Sequence, residues 1–586
     1  MTETIIQRES TGWQKLPATW PNCLRRILAA RGIQSEDDLT YKLAELPKPE
    51  LMLGMDKACQ LLAQAITEQW RIMIVADFDT DGATSCAVAI RGLRAMGARN
   101  IDYIVPNRFV HGYGLTPELV AEIPSKQQPD LLLTVDNGIA SIDGVNVAHQ
   151  RGMKVLVTDH HLPGDELPKA NAIINPNQHN CKFPSKNMAG VGVCFYLLLG
   201  VRQQLRQQSW FKQQQIDEPK LHTLLDLVAL GTVADVVPLD KLNRTLVSLG
   251  LARIRAGQAC AGINALIQVS GRDLKQLASQ DMGFSIAPRL NAAGRLEDMK
   301  IGIEALLTDD ISQAHAAAQL LDDINKQRRD VEQDMQTQAL AMLADLSFDE
   351  KQLPLGYCLY NKQWHQGVIG LLASRIKEKQ HRPVIAFAPS NNGEIKGSAR
   401  SIPGIHIRDV LARVASQAPA GLLTKFGGHA MAAGLTLAEK DLAQFENLFL
   451  SVLQQTVEVS DLQKELNSDG ELDANDINLQ LAELLPTAAP WGQAFPEPQF
   501  HGKFVVDNIR SVGQQQDHLR LTLDLGNGKQ ITAMAFKHYQ PDWLEQGDEV
   551  LIRYRLAVNE FRDQRTVQIL VDDLLKSEIT SDFKVL

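Results

Sequence analysis

Between residues 70 and 176 the chain alternates short apolar runs with helical stretches. Residues 71–77 (RIMIVAD), 101–105 (IDYIV), 130–135 (DLLLTV) and 153–158 (MKVLVT) read as strands, and 83–96 as the helix after the first. Strands that are apolar throughout, rather than at every second position, belong to a parallel sheet with helices on both faces. Ligands of such sheets gather beyond the carboxyl ends of the strands. Three of these runs end at an acid, namely Asp77, Asp136 and Asp159. The pattern therefore predicts one site along that edge.

The patterning changes further along. Residues 191–201 predict a buried helix, and 221–236 a helix that runs into a turn at Pro238. Residues 303–346 are rich in Ala, Leu, Gln and charge and lack Pro and Gly, which predicts a long, exposed helical connector between two lobes. A second α/β region follows, with strands at 355–360 and 383–388 and glycine-bearing loops at 393–404 and 427–434. Residues 460–490 are polar and acidic and read as helical packing and connection. Residues 518–525, 530–536 and 549–558 alternate as antiparallel strands do, with a hairpin-type turn at Gly526-Asn527-Gly528. A small OB-type β-barrel is expected there, suited to single-strand binding or serving only as a structural cap. The layout is an N-terminal segment (1–50), a first α/β domain (51–300), a helical connector (301–350), a second α/β domain (351–495) and the barrel (496–586).

Composition alters this picture little. A chain of 586 residues should hold three to five domains at roughly 100–200 residues each. No apolar run approaches the roughly 20 residues of a membrane span, and residues 1–10 lack the apolar core of a secretory signal. The seven cysteines lie far apart with no C-x-x-C pair, so neither a disulfide framework nor a thiolate zinc site is suggested. A cytoplasmic protein without membrane attachment is expected. The net charge of −10 argues mildly against a nucleic-acid partner. Metal-binding carboxylates would inflate that count, however, and basic residues can be confined to one groove.

The chemistry is concentrated in four segments. Asp77-Phe78-Asp79-Thr80-Asp81-Gly82 places three carboxylates at the end of a buried strand, closed by a glycine that opens a helix. One such Asp is explained as a helix N-cap. Three near an apolar strand end call for counter-charge, and divalent cations with oxygen ligands supply it. Asp136-Asn137-Gly138 repeats the design, although alone it reads as a turn. Asp159-His160-His161 adds two imidazoles. Asp235 sits inside the apolar segment 231–238 (GTVADVVP), where an unpaired acid is costly.

With its D-x-D-x-D-G, D-N-G, D-H-H and G-T-x-A-D segments in that order, the chain resembles the DHH phosphoesterase superfamily, in particular its single-strand-specific exonuclease family. Residues 288–295 (PRLNAAGR), 397–404 (GSARSIPG) and 427–434 (GGHAMAAG) extend the likeness into a second domain, so that it spans roughly residues 71–435. Asp77 stands where small-substrate relatives often carry His. The resemblance implies an α/β fold: a DHH domain with a parallel sheet, a long helical connector, a second α/β domain of DHHA1 type, and the C-terminal OB-type β-barrel. It also implies two Mn²⁺ or Mg²⁺ ions, held by Asp79, Asp81, Asp136, His160 and Asp235 with Asp136 bridging. Asp77 would be a further ligand or a partner of one. Asp159 would orient His160, and His161 would face the scissile phosphate. Arg108, Arg289, Ser398 and Arg400 would hold the 5′ end of the strand, with Asn291, Arg295 and His429 as further substrate contacts. For each arginine, a surface salt bridge is the plain alternative. Tyr113 would stack on a base or serve packing.

The implied activity is 5′→3′ exonucleolytic release of mononucleotides from single-stranded DNA, through a channel too narrow for duplex. Single-strand-binding protein and a helicase are the implied partners, in recombinational and mismatch repair. Two other readings stand beside it: a phosphodiesterase for very short oligonucleotides or cyclic dinucleotides, and a catalytically dead DNA-binding scaffold.

Overall fold

The structure, a computed structural model, describes residues 3–345, 354–419, 421–513, 516–526, 528–562, 564–577 and 584–585. A first strand, β1 (Glu3–Gln7), precedes the sheet of the first domain. That sheet comprises β2 (Ile72–Ala76), β3 (Ile101–Ile104), β4 (Leu131–Val135), β5 (Lys154–Thr158) and β6 (Ala172–Ile174), all parallel and in the order β3-β2-β4-β5-β6. Four of the five follow the apolar runs; β6 is only three residues long and leaves no periodic signal. Ile72, Ile74, Leu131, Leu133 and Val135 join the main core, with helices Thr80–Ala95, Gly190–Gln207 and Leu225–Ala234. Val75, Leu132, Val155 and Val157 face helices Pro117–Glu122 and Ile142–Gln150 on the other side. Both faces are thus covered, which is why the runs are apolar at consecutive positions.

The predicted connector is the 35-residue helix Ile311–Asp345, about 50 Å long at 1.5 Å per residue. It is not the exposed rod that its composition suggested. Ala314, Ala318 and Leu321 pack into the main core, while Met335 and Ala339 pack with Trp364, Val368 and Leu372 of the second domain. A narrow stripe of small and apolar residues suffices to seat each end.

The second domain carries β7 (Tyr357–Tyr360), β8 (Val384–Pro389), β9 (Glu394–Arg400), β10 (Lys425–Gly428) and β11 (Ala432–Ala438), ordered β10-β11-β9-β8-β7. The two segments read as glycine loops are therefore largely strands. A Cβ at Gly397 would come within 2.6 Å of the Phe387 ring and 2.7 Å of Leu435, so this glycine admits tight packing within the sheet.

Residues 460–490 include a strand, β12 (Lys464–Ser468), which pairs in parallel with β1. Arg31 reinforces that tie with a two-pronged contact to Asp469, at 2.7 and 2.9 Å. The barrel consists of β13 (Phe500–Val512), β14 (His518–Asp524), β15 (Gln530–Ala535), β16 (Glu549–Phe561) and β17 (Gln564–Lys576), closed in the order β13-β14-β15-β17-β16. Gly526 and Gly528 adopt left-handed φ of 76° and 78° at the predicted turn, and Asn527 lies outside the described residues. No described helix is long and apolar enough to cross a membrane.

Candidate metal centre and phosphate cleft

Register creates the site. Ala76, Val135 and Thr158 pair across β2, β4 and β5, so the next residues, Asp77, Asp136 and Asp159, leave the sheet at one level. Strand β3 lies on one side of β2 and β4 on the other, and the chain's reversal there opens a crevice at their carboxyl ends. Asp136 adopts φ 62°, a left-handed conformation that re-aims its side chain.

The N-cap explanation holds for part of the first motif. Asp79 Oδ1 accepts from the Gly82 amide at 3.0 Å and caps helix Thr80–Ala95. Asp81 accepts from the amides of Gly190 and Val191, at 2.6 and 2.9 Å, and so seats the start of a second helix. Even so, the carboxylates converge. Donor atoms of Asp77, Asp79 and Asp136 lie within 4.8 Å of one another, as do those of Asp81, His160 and Asp235, and those of Asp136, His160 and His161.

His160 Nε2 lies 3.2 Å from Asp136 Oδ1 and 3.4 Å from Asp235 Oδ2. All three atoms are buried without a hydrogen-bond partner. Buried polar atoms are seldom left unpaired, and a cation is what this oxygen- and imidazole-rich set lacks. The ionisation of the cluster agrees. Burial, then the charge of Asp79, pushes Asp77 well up and Asp81 up to about 7. Burial and Asp81 do the same to Asp136 and Asp235. Burial and the neighbouring His161 lower His160 to about 4.

Asp159 has a different partner from the one expected. Its Oδ1 lies 2.7 Å from His161 Nδ1, whereas it meets His160 only through the backbone amide, also at 2.7 Å. It therefore orients His161. Burial alone would depress the His161 imidazole, but the Asp159 hydrogen bond and charge outweigh it and hold the ring at about 9. Tyr113 Oη donates to the Asp136 carbonyl at 3.1 Å and stands 3.3 Å from His161 Nε2.

Beside the acids lies a cleft of about 620 Å³ lined by both domains. Arg108, Arg295, Ser398 and Arg400 all reach it, together with Lys396 and Lys425, and no acid is among its lining residues. The Arg108 guanidinium lies 4.1 Å from the centre of the Phe78 ring. Arg400 donates to Ser398 Oγ at 3.0 Å, and a Cβ at Gly370 would crowd both, at 2.9 and 3.0 Å. Burial lowers Arg108 and Arg400, and burial with the repulsion of Arg108 lowers Arg295 to about 10. Gly427 and Gly434 pair across β10 and β11 with open space where a Cβ would stand.

Three expected substrate contacts, Arg289, Asn291 and His429, are not among the residues lining this cleft. Arg289 is buried against Asp322 of the long helix, at 2.7 Å, so it braces the connector. Asn291 Oδ1 accepts from the amide and hydroxyl of Thr80, both at 2.9 Å. A Cβ at Gly294 would sit 1.8 Å from the Phe78 carbonyl. The 288–295 segment is thus largely a buttress beneath the first acidic motif. His429 is an exposed residue on the turn between β10 and β11 and does not line the cleft; burial and then the charge of His161 lower its imidazole. The sequence reading missed Lys396, Lys425, Phe109 and Phe426, all of which line the cleft. The period-two pattern Lys396-x-Ser398-x-Arg400 would have found the first of these.

Comparison with known proteins agrees with this layout. Residues 71–232 match the DHH family, N-terminal domain, 354–458 the DHHA1 domain and 468–573 the RecJ OB domain. The chain is 50% identical over 573 residues to the single-stranded-DNA-specific exonuclease RecJ of Dickeya dadantii, covering 97% of this chain and 99% of that protein. Against the RecJ of Escherichia coli it is 48% identical over 572 residues, covering 97% and 98%. The crystal structure of Thermus thermophilus RecJ in complex with Mn²⁺ superposes with a TM-score of 0.80 at 28% identity, covering 98% of this chain and 80% of that one.

Proposed function

The chain belongs to the RecJ family of the DHH phosphoesterases, and from that premise we propose that it is an exonuclease that degrades single-stranded DNA in the 5′→3′ direction and releases mononucleotides. The observation that carries this reading is the junction of a buried acidic cluster with an acid-free cationic cleft. Asp77, Asp79 and Asp136 would hold one Mn²⁺ or Mg²⁺ ion; Asp81, His160 and Asp235 would hold the other, with Asp136 shared. When bound, the ions supply a water nucleophile at neutral pH and offset charge on the phosphate. Asp159 fixes the His161 ring through Nδ1, which leaves Nε2 to donate toward the scissile phosphate or the leaving oxygen. Arg108, Arg295, Ser398 and Arg400 grip the terminal 5′ phosphate, because guanidinium forks match phosphate oxygens. Gripping one end sets the polarity. In the cell such an enzyme would serve recombinational and mismatch repair beside single-strand-binding protein and a helicase.

The test is product analysis on single-stranded DNA labelled at either end, with Mn²⁺ or with chelator, beside Asp81→Ala. Early release of labelled mononucleotide from the 5′ end, abolished by chelation and by the substitution, is expected. Intact long strands beside cleaved dinucleotides would replace the reading with a short-oligonucleotide phosphodiesterase; binding without cleavage would replace it with a scaffold.

A further inference from the structure

Beyond Asp235 the chain does something unusual. Val236, the next residue, is 63% exposed and sits at φ 60°, a region that β-branched residues avoid. Such strain persists only where the surroundings impose it, and it gathers at functional sites. Nearby, the π-helical turn Met282–Ile286 holds Phe284 out into solvent, 80% exposed. The turn abuts helix Leu225–Ala234, since a Cβ at Gly283 would lie 3.4 Å from Val233 Cγ1. Ordinarily a Phe contributes its large apolar area to a core.

The place of these two residues in the fold says what they serve. The segment that leads into the barrel is pinned to the same region: Ser279 Oγ donates to the Trp491 carbonyl at 2.6 Å and the Leu239 amide to the Gln493 carbonyl at 2.8 Å. The first barrel strand begins at Phe500. Val236, beside Asp235, and Phe284 therefore lie within a few residues of the two contacts that anchor the segment entering the barrel. Arg272, about half exposed, donates to Ser285 Oγ at 3.0 Å and pairs with Asp281 at 3.3 Å, which braces the turn that carries Phe284. An exposed aromatic ring is a surface on which unpaired bases stack.

We propose that Phe284 and Val236 form an apolar step on which unpaired bases of the substrate strand stack between the metal centre and the barrel. This rests on the chain being a single-strand exonuclease.

The experiment compares full-length parent, Phe284→Ala and Phe284→Trp with Mn²⁺, on a long single strand and on a very short oligonucleotide. For Phe284→Ala, KM on the long strand should rise about tenfold, the loss of one base-stacking contact, while kcat, short-oligonucleotide hydrolysis and Tm stay at parent values. Phe284→Trp should restore KM, and its fluorescence should fall when a long strand is added under chelation. An unchanged KM on the long strand with an active parent overturns the proposal, as does an equal rise on both substrates. A changed sedimentation coefficient of Phe284→Ala with unaltered strand handling assigns the step to contact with a second copy, and also overturns it. If the parent cuts no strand, the exonuclease reading fails, and quenching or its absence in Phe284→Trp still decides whether bases stack there.

Discussion

The carboxyl edge of the catalytic sheet and the face of β9–β11 that lines the cleft hold charge in opposite ways. At the sheet edge, aspartates converge in buried and half-buried positions, and their charges raise the pKa of their neighbours. On the cleft face, Arg400, Lys396 and Lys425 line open space between glycines, with no carboxylate among them. Each region is electrostatically unfinished alone. The acids want cations and the cations want phosphates, and a phosphodiester laid between bound metal and the arginine wall satisfies both. The acidic half is pre-formed by strand register and helix capping. The basic half draws Lys396, Arg400 and Lys425 from another domain, held in place by a helix embedded in both cores, to face Arg108 and Arg295 of the first.

Removing the shared ligand should give the largest effect. Asn tolerates left-handed φ, so Asp136→Asn should fold. We expect it to lose more metal affinity than the roughly 10–100-fold typical when a ligand's outer partner is removed, read by Mn²⁺ titration, with exonuclease activity falling alongside. Metal should raise the Tm of the parent but barely that of the variant. The metal-free parent should also show a characteristic pH response. Its cluster aspartates have raised folded-state pKa values, so the folded state keeps protons that the unfolded chain has already released. Stability contributed by those protons is present below the ordinary carboxylate range and is lost as pH rises through the folded values, about 7 for Asp81. Tm of the chelated protein should therefore fall over that window, and Asp136→Asn should shallow the fall. A flat profile would mean the cluster is already compensated without metal.

Two arginines separate bracing from binding. Arg289→Ala leaves buried Asp322 with Lys326, at 2.8 Å, as its remaining partner, and losing a charged hydrogen bond costs about 1.5–3 kcal/mol. Chemical denaturation should show that loss, with preference for a 5′-phosphorylated end unchanged. Arg400→Ala should do the reverse. Losing a charged hydrogen bond worth about 1.5–3 kcal/mol should raise KM on 5′-phosphorylated strands by about 10–100-fold. Strands ending in a 5′ hydroxyl should be nearly unaffected, and Tm should hold. If both variants behave alike, the division between buttress and wall is wrong.

The two regions also differed in how far the sequence revealed them. Asp77, Asp136 and Asp159 were legible because a buried parallel strand is apolar throughout and ends abruptly, and register then aligns the ends. The pairing of Asp159 with His161 rather than His160 was not legible, because adjacent residues differ in direction by backbone geometry alone. Arg289 and Arg295 share one helix, Ala287–Leu296, yet one faces the connector and the other the cleft. Only tertiary contact separates them. Strands β9 to β11 were hidden because their glycines mimic loops, and the pairing of β1 with β12 was hidden because the two lie over 450 residues apart in sequence.

The smallest expected effect tests whether the wall extends past the terminal phosphate. Lys396 and Lys425 line the cleft but form no ion pair among the described residues. Lysine is a hydrated point charge without the fork geometry of arginine, so each should contribute general attraction rather than recognition of an end. Lys396→Gln should weaken binding of all single strands alike, whatever their 5′ chemistry. The slope of log affinity against log salt should shrink by about 0.7, the share of one phosphate contact on a single strand. An unchanged slope would confine the wall to the arginines and Ser398, and the remaining phosphates of the strand would have to find their cations nearer the barrel.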